Sequence, residues 1–223
     1  MTQPSAAAPA SIGMLRRLVG FPTVSRESNL QLIEFVRGEL AALGARTRLT
    51  YNDERTKANL FATVGPAEGR GIVLSGHTDV VPVDGQAWDS DPFTLVEKDG
   101  KLFGRGTSDM KSFVAVALAL APEFVRRNLK VPLHFAFSYD EEVGCIGVGR
   151  LITDLAAAGI RPDACIVGEP TLMRPVIAHK GKRGYRCAVR GLASHSAYAP
   201  AGVNAVEAAA EAVAYLKSMA RRH

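Results

Sequence analysis

Short loops rich in carboxylates or histidine border the apolar, strand-like segments of this chain. Three of the loops directly follow such a segment, and the fourth precedes a helix-like segment; they are residues 75–79, 140–142, 168–170 and 106–111. Strands alternating with helices predict an α/β fold whose loops at the strand carboxyl ends gather at one edge. Because Asp and Glu are rarely buried unless paired or metal-bound, loops that converge in this way indicate a cation site.

Hydrophobic periodicity predicts the individual elements. Helices are expected where apolar residues recur at helical spacing, and strands where they alternate or form short runs. A sheet buried on both faces is expected, and the change in hydrophobic pattern from Lys182 predicts the opening of a second unit. The predicted helices are 12–19, 28–43, 111–127, 147–158 and 203–219, and the predicted strands are 46–51, 59–64, 71–75, 131–138, 164–167 and 185–189, with a hairpin over 95–103.

The composition is that of a globular protein with a sizeable core. The chain has 223 residues, of which 47% are hydrophobic and 22% charged. Its three cysteines, Cys145, Cys165 and Cys187, are odd in number and widely spaced. They predict neither a disulfide framework nor a cysteine metal site, so a reducing, cytoplasmic setting is expected.

Membrane and nucleic-acid partners are disfavoured. Residues 1–11 lack the basic and apolar regions of an export signal, and the most apolar stretch, 113–121, is far below the roughly 20 residues that cross a bilayer. The net charge of +5 arises from dispersed basic residues, apart from a cluster at 180–183 and the C-terminal residues. With 7% aromatic residues and no recognition motif, nucleic-acid binding is not expected.

The first two loops each allow two interpretations. His77 follows an apolar strand and suits zinc, cobalt or manganese, with Asp79 available to hold the ring tautomer. A structural histidine is the alternative interpretation, because a single His-x-Asp is weak evidence. Asp109 precedes a predicted helix and could be its N-cap or a metal ligand.

The two later loops suit metal-assisted hydrolysis. Glu141 and Glu142 are adjacent, so one carboxylate can bind a cation while the other faces a bound water and takes its proton. The alternative is a solvated acidic turn, although apolar segments border this loop on both sides. Glu169 follows an apolar strand and could likewise belong to a surface turn. Each alternative is plausible alone, but all four together are improbable.

In this order, the loops resemble those of the M20 peptidase family of metal-dependent amidohydrolases and exopeptidases. The resemblance spans almost the whole chain and is specific when its motifs are taken jointly. Within the family, the chain is most similar to the acetylornithine deacetylases, which implies hydrolysis of N-acetyl-L-ornithine to L-ornithine and acetate in arginine biosynthesis. The segments that carry the resemblance are SGHTDVVP at 75–82, GRGTSDMK at 104–111, YDEEVGC at 139–145, HKG at 179–181, VRGLASHS at 189–196 and GVNAV at 202–206.

The resemblance implies a site with two divalent metal ions, about 3.5–4 Å apart. Zinc is the expected metal, with cobalt or manganese as alternatives. His77 and Glu169 would be ligands of one ion, and Asp109 would bridge to a second ion. The remaining roles implied by the resemblance are Glu142 as a ligand of the second ion, Glu141 as the general base and Asp79 as the brace of His77.

The resemblance also implies the domain organisation. A mixed-sheet, zinc-exopeptidase-like α/β catalytic domain would occupy residues 1–178, and 179–223 would begin an inserted α+β dimerisation or lid domain. In that second unit His195 would polarise the scissile carbonyl, often in the active site of a partner subunit of a homodimer. Without the resemblance, His195 would be interpreted as an ordinary loop histidine.

Family members continue well past the length of this chain. They complete the inserted domain, return to the catalytic sheet and supply a late histidine to the second metal, and nothing around His223 matches that motif. A fragment of a longer enzyme or a truncated product is therefore expected, with one ligand of the second metal absent. Since strand 185–189 and helix 203–219 would keep uncovered apolar faces, the isolated chain is expected to be poorly stable or prone to aggregate.

Two other functions remain open from the sequence. Another M20 reaction, such as desuccinylation of succinyl-diaminopimelate or aminoacylase activity, would use the same ligands on a different N-acylated amino acid. A non-catalytic chain that only binds metal or associates with related subunits is the alternative from a different class.

Overall fold

The computed structural model describes residues 7–181 and 183–222 of the chain. This part of the chain divides into two compact units, with the boundary between Pro175 and Val176. The first unit is an α/β domain built on a mixed sheet, which confirms the fold class predicted from the sequence.

The central sheet of the first unit has five strands in the order β1-β2-β6-β3-β7. Strands β6, β3 and β7 are mutually parallel, whereas β1 and β2 join the sheet by antiparallel pairing. A separate hairpin consists of β4 and β5. The strands are β1 Arg46–Tyr51, β2 Ala58–Val64, β3 Ile72–His77, β4 Val96–Lys98, β5 Lys101–Phe103, β6 Leu133–Ser138 and β7 Ala164–Val167.

Helices cover both faces of this sheet. The larger core packs α1, α2 and α3 against β2 and β6, with Leu18, Ile33 and Phe135 fully buried in it. On the opposite face α4 contributes Leu151, which packs against Phe61 of β2. The helices of this unit are α1 Ala7–Val19, α2 Leu30–Ala42, α3 Lys111–Arg126 and α4 Ile146–Ala157.

Burial differs sharply between the centre and the edge of the sheet. All seven residues of β2 are buried, as expected for a strand covered on both faces. All four residues of β7 are exposed, and among the described residues β7 is one of the two edge strands and pairs only with β3. The expectation that both faces of the sheet are covered therefore fails at β7.

Strand β3 is longer than its hydrophobic pattern predicts. The apolar run ends at Ser75, but pairing with β6 continues through Gly76 and His77, which lies opposite Ser138. Backbone pairing with β6 extends β3 beyond the residues that the side-chain pattern identifies as a strand. His77 is therefore held by the sheet itself.

The described part of the second unit contains one short 3-10 helix, Ser196–Ala201, and one α-helix, α5 Ala205–Ala220. Asn204 caps α5, because its side-chain oxygen accepts a 3.0 Å hydrogen bond from the Val206 N–H. The predicted strand at 185–189 is wrong, since these residues are irregular. A strand needs a partner for its backbone groups, and in the described part of this unit the only β-bridge joins Leu192 to Val203.

Across residues 7–181 and 183–222, no helix is both long and apolar enough to cross a membrane.

Candidate metal centre

Three of the acidic or histidine-containing loops meet at one edge of the sheet. β3 lies between β6 and β7 and runs parallel to both. His77 is the last residue of β3, Glu141 and Glu142 follow β6, and Glu169 follows β7. Parallel strands present their carboxyl ends at the same edge, where α/β proteins place their chemistry.

The fourth loop reaches this edge from α3. Asp109 lies just before the helix, and the Asp109–Met110 peptide bond is cis. The Met110 sulfur accepts a 3.3 Å hydrogen bond from the His77 backbone N–H, which fixes the loop against β3. Asp109 is not the N-cap, because the helix has no side-chain cap and its N-cap position is Met110.

His77 is the centre of the cluster. Its side chain is 1% exposed, and its Nε2 atom lies 2.9 Å from Asp109 Oδ1, 3.7 Å from Glu169 Oε1 and 3.8 Å from Glu141 Oε2. Among residues 7–181 and 183–222, two three-residue sets have potential ligand atoms within 4.8 Å of one another: His77 with Glu141 and Glu169, and His77 with Asp109 and Glu142.

The donor chemistry of these sets fits a divalent cation. An imidazole nitrogen combined with carboxylate oxygens suits zinc, cobalt or manganese. Glu141, Glu142 and Glu169 are all partly buried, and Asp109 is exposed. Four carboxylates face one imidazole, so the cluster has more negative than positive charge.

The pKa values of the cluster reflect that excess of negative charge. Burial alone lowers the pKa of His77, but hydrogen bonds with Asp79 and Asp109 and the charge of Glu169 outweigh it and raise the pKa to about 9. The pKa of Glu169 is raised by burial and then by the charge of Asp109, and the pKa of Glu142 is raised for the same two reasons. A bound cation would compensate this repulsion.

The orientation of His77 is set by its other ring nitrogen. Nδ1 lies 2.8 Å from the backbone carbonyl oxygen of Asp79 and 3.5 Å from the carboxylate oxygen Oδ1 of the same residue. A carbonyl oxygen can only accept, so Nδ1 carries the proton and Nε2 faces the carboxylates. Asp79 thus contacts the imidazole through both its backbone carbonyl and its carboxylate.

The Asp79 carboxylate holds the Glu141–Glu142 loop. It accepts hydrogen bonds from the backbone N–H groups of Glu141, at 3.0 Å, and Glu142, at 3.2 Å. It also accepts a 2.7 Å bond from the Ser25 hydroxyl. Burial raises the pKa of Asp79, but the bonds with His77, Ser25 and the Glu141 backbone lower it below its usual value. The carboxylate is therefore a buried, ionised anchor for this loop.

Sequence reasoning did not identify Ser25 or Lys57. Ser25 lies between α1 and α2, and 54 positions separate it from Asp79. Lys57 pairs with Asp140 at 2.5 Å, and its ammonium also donates to the Ser25 carbonyl. No local motif marks either residue, because each acts through partners that are distant in sequence.

A glycine allows Glu169 to reach the cluster. A Cβ atom on Gly168 would lie 1.9 Å from Cγ of Phe113, so no larger residue fits without a shift of the loop or the ring. Gly168 also donates its N–H to the Ser75 carbonyl at 3.1 Å. Because the chain passes so close to α3 at Gly168, the position of Glu169 is fixed.

His195 belongs to the second unit. It is exposed, and its Nδ1 accepts a 3.1 Å hydrogen bond from the Ala197 N–H at the start of the 3-10 helix. Because Nδ1 accepts this bond, it carries no proton, and in the neutral ring the proton is on Nε2. Its predicted role at a scissile carbonyl stays a prediction.

The fold and the donor set together define a metallopeptidase-type α/β domain. Residues 73–222 match the family described as Peptidase family M20/M25/M40, and the chain belongs to this family of metal-dependent hydrolases. It is 40% identical over 218 residues to the acetylornithine deacetylase of Pasteurella multocida strain Pm70, covering 95% of this chain and 56% of that protein. It is 38% identical over 221 residues to that of Proteus mirabilis strain HI4320, covering 96% and 56%.

Solved structures agree on the fold. Human carnosine dipeptidase 1 superimposes with a TM-score of 0.62 at 24% identity, over 72% of this chain and 38% of that one. A tripeptidase from Staphylococcus aureus gives a TM-score of 0.64 at 18% identity, over 92% and 56%. The chain spans about half the length of the curated relatives that it matches.

Proposed function

We propose that this chain carries the metal-binding part of an amide hydrolase of the acetylornithine deacetylase type, which converts N-acetyl-L-ornithine and water into L-ornithine and acetate. The observation that supports this most is the convergence of four carboxylates on the buried His77 Nε2. The similarity to acetylornithine deacetylases at 40% and 38% identity supports the choice of substrate.

The residues of the cluster divide into two groups of metal ligands. His77 and Glu169 would hold one divalent ion, Asp109 would bridge, and Glu142 would hold the second ion. We propose zinc, with cobalt or manganese able to replace it. When bound, the ions would polarise the amide carbonyl and lower the pKa of a water molecule.

Glu141 is proposed as the general base. Its side chain is 37% exposed, and its Oε2 lies 3.8 Å from His77 Nε2, farther than the Asp109 oxygen. The carboxylate can therefore reach solvent at the centre of the cluster. It would take a proton from the attacking water as the new C–O bond forms and deliver it to the departing nitrogen as the C–N bond breaks.

The second unit is proposed as the beginning of a lid or dimerisation domain. His195, whose Nε2 carries the ring proton, would donate a hydrogen bond to the scissile carbonyl oxygen, from a partner subunit of a homodimer.

Asp79 is proposed to position His77. We further propose that the last ligand of the second metal belongs to the part of the relatives' length that this chain does not span.

The biological setting follows from the substrate. Because ornithine would be the product, arginine biosynthesis is the setting that we propose. The three cysteines are all free in the structure, and this is consistent with the reducing, cytoplasmic environment that we propose.

The test measures metal stoichiometry and ornithine release. Wild type is compared with Asp109→Asn, which keeps the shape of the side chain and removes its charge. Asp89→Asn is the control, because Asp89 is an exposed acid outside the cluster. We expect the wild type and the control to bind metal and Asp109→Asn to lose it. In the full-length protein, which would supply the last ligand of the second metal, ornithine release should be lost in the same variant.

A substrate panel separates the remaining alternatives. N-acetyl-L-ornithine is compared with N-succinyl-diaminopimelate and an N-acetylated apolar amino acid. Faster turnover of either competitor would replace the deacetylase assignment with another M20 reaction. Metal binding without any turnover would support the non-catalytic function instead.

A further inference from the structure

Ser25 and Lys57 lie outside the four loops, yet both contact the groups that hold the Glu141–Glu142 segment. The Ser25 hydroxyl donates to Asp79 Oδ2 at 2.7 Å, and its backbone carbonyl accepts from the Lys57 ammonium. Lys57 Nζ also contacts Asp140 Oδ1 at 2.5 Å. Ser25 therefore connects Asp79 to Lys57, the two residues that hold the 140–142 loop.

These contacts form a closed ring. From Asp140 the ring passes through Lys57 and Ser25 to the Asp79 carboxylate, which then accepts the backbone N–H groups of Glu141 and Glu142. The chain itself closes the ring, because these residues are adjacent to Asp140. A ring of this kind restrains the loop more than separate bonds would, since each bond orients the groups of the next.

The ring lies in a region of low solvent access. Ser25 and Asp79 are 7% and 2% exposed, and the side chains of Lys57 and Asp140 are 13% and 15% exposed. Breaking a buried, charge-assisted contact leaves a charge without its partner, so the remaining groups rearrange. The segment that would move carries two of the carboxylates that face His77.

We infer that Ser25 and Lys57 are positioning residues for the metal centre: they hold the 140–142 loop so that Glu142 and Glu141 face His77. This inference rests on the proposed function, because it assigns the ring a task at the proposed metal site. Neither residue belongs to the two potential ligand sets. Their effect is transmitted through Asp79 and Asp140.

The experiment titrates Co²⁺ into the metal-free 223-residue chain and follows binding together with the visible absorption of the bound ion, which reports ligand geometry. The variants are Ser25→Ala and Lys57→Met. We expect Co²⁺ binding to weaken by about 10–100-fold, the range typical of residues that orient metal ligands, and the absorption band to change. Lys57→Arg, which keeps the positive charge, should recover part of the affinity lost in Lys57→Met.

Matched controls separate positioning from a general loss of stability. Thr23→Val removes a buried hydroxyl from the same loop as Ser25, but that hydroxyl donates to the Thr78 carbonyl and not to Asp79. Arg48→Met removes an ion pair with Asp154 that lies outside the ring. Both controls should bind Co²⁺ with wild-type affinity and spectrum, whatever their melting temperatures.

The outcomes distinguish this inference from the proposed function. If the wild type binds no Co²⁺, the proposed function fails and the inference fails with it. If the wild type binds Co²⁺ and both variants match its affinity and spectrum, the positioning role alone is wrong. Should the variants not fold, hydrogen exchange on the metal-free wild type decides: the Glu141 and Glu142 amides should be protected, and free exchange at both would overturn the inference.

Discussion

Asp109 Oδ1 lies 2.9 Å from His77 Nε2, although 32 positions separate the two residues and they belong to different elements. His77 ends a central strand, and Asp109 precedes the helix that packs against that strand. The contact joins a buried imidazole to a solvent-accessible carboxylate. It therefore marks the point where a metal ion entering from solvent would meet the sheet.

His77→Gln is expected to abolish high-affinity metal binding. The substitution removes the only nitrogen donor common to both potential ligand sets, and an amide is a weaker ligand than an imidazole. We expect affinity to fall by more than about 100-fold, since residues that only orient ligands already contribute up to that factor. Calorimetric titration with Zn²⁺ measures the effect; wild-type affinity would contradict the assignment of His77 as a ligand.

Metal removal should lower the thermal stability of the wild-type chain. A ligand that binds only the folded state at 100 times its dissociation constant stabilises that state by about 2.7 kcal/mol. Melting curves with Zn²⁺, and with Zn²⁺ plus a chelator, should therefore differ. His77→Gln is the control and should melt at the same temperature in both conditions.

The metal-free chain should lose stability as the pH rises through 9. The pKa of His77 is raised from 6.5 to about 9 in the folded state, so its contribution is fully present below pH 6.5 and disappears as pH passes the folded pKa. Urea unfolding between pH 6 and pH 10 measures this, with His77→Gln as reference. A wild-type profile parallel to that of the variant would show that the pKa of His77 is not raised in the folded chain.

His134 should produce the opposite dependence at acid pH. Burial lowers its pKa, the hydrogen bond with the Arg70 carbonyl acts against this, and the charge of Arg46 lowers it further. The folded state thus binds a proton less readily than the unfolded state, so stability is complete above about pH 6.5 and is lost as pH falls below that value. His134→Gln should be less acid-sensitive than wild type in urea unfolding; equal sensitivity would exclude this residue as the cause.

Gly168→Ala should destabilise the chain and weaken metal binding together. The new methyl group would overlap Phe113, and overpacking of this kind costs about 1–3 kcal/mol. The loop would have to shift and would move Glu169 with it. Gly149→Ala is the matched control: no atom lies within 4 Å of its Cβ position in α4, so stability should rise by about 0.5–1 kcal/mol.

Much of the scaffold could be predicted from periodicity alone. Strand 46–51, strand 164–167 and the hairpin over 95–103 follow local patterns, and the structure has them as β1, β7 and β4–β5. The pattern failed at 185–189, where the alternation of residues is right for a strand but no described segment pairs with it. Alternation predicts which face a residue would occupy, not whether a partner strand exists.

The sequence by itself determined that carboxylates follow apolar strands, because the positions of His77, Glu142 and Glu169 along the chain are set by local patterns. Only the tertiary structure decided that these groups converge, because convergence depends on the strand order, with β3 between β6 and β7. It also decided the contacts of Ser25 and Lys57 with the loop after β6. Local sequence fixes periodicity and turns, whereas contacts between distant residues exist only once the sheet has formed.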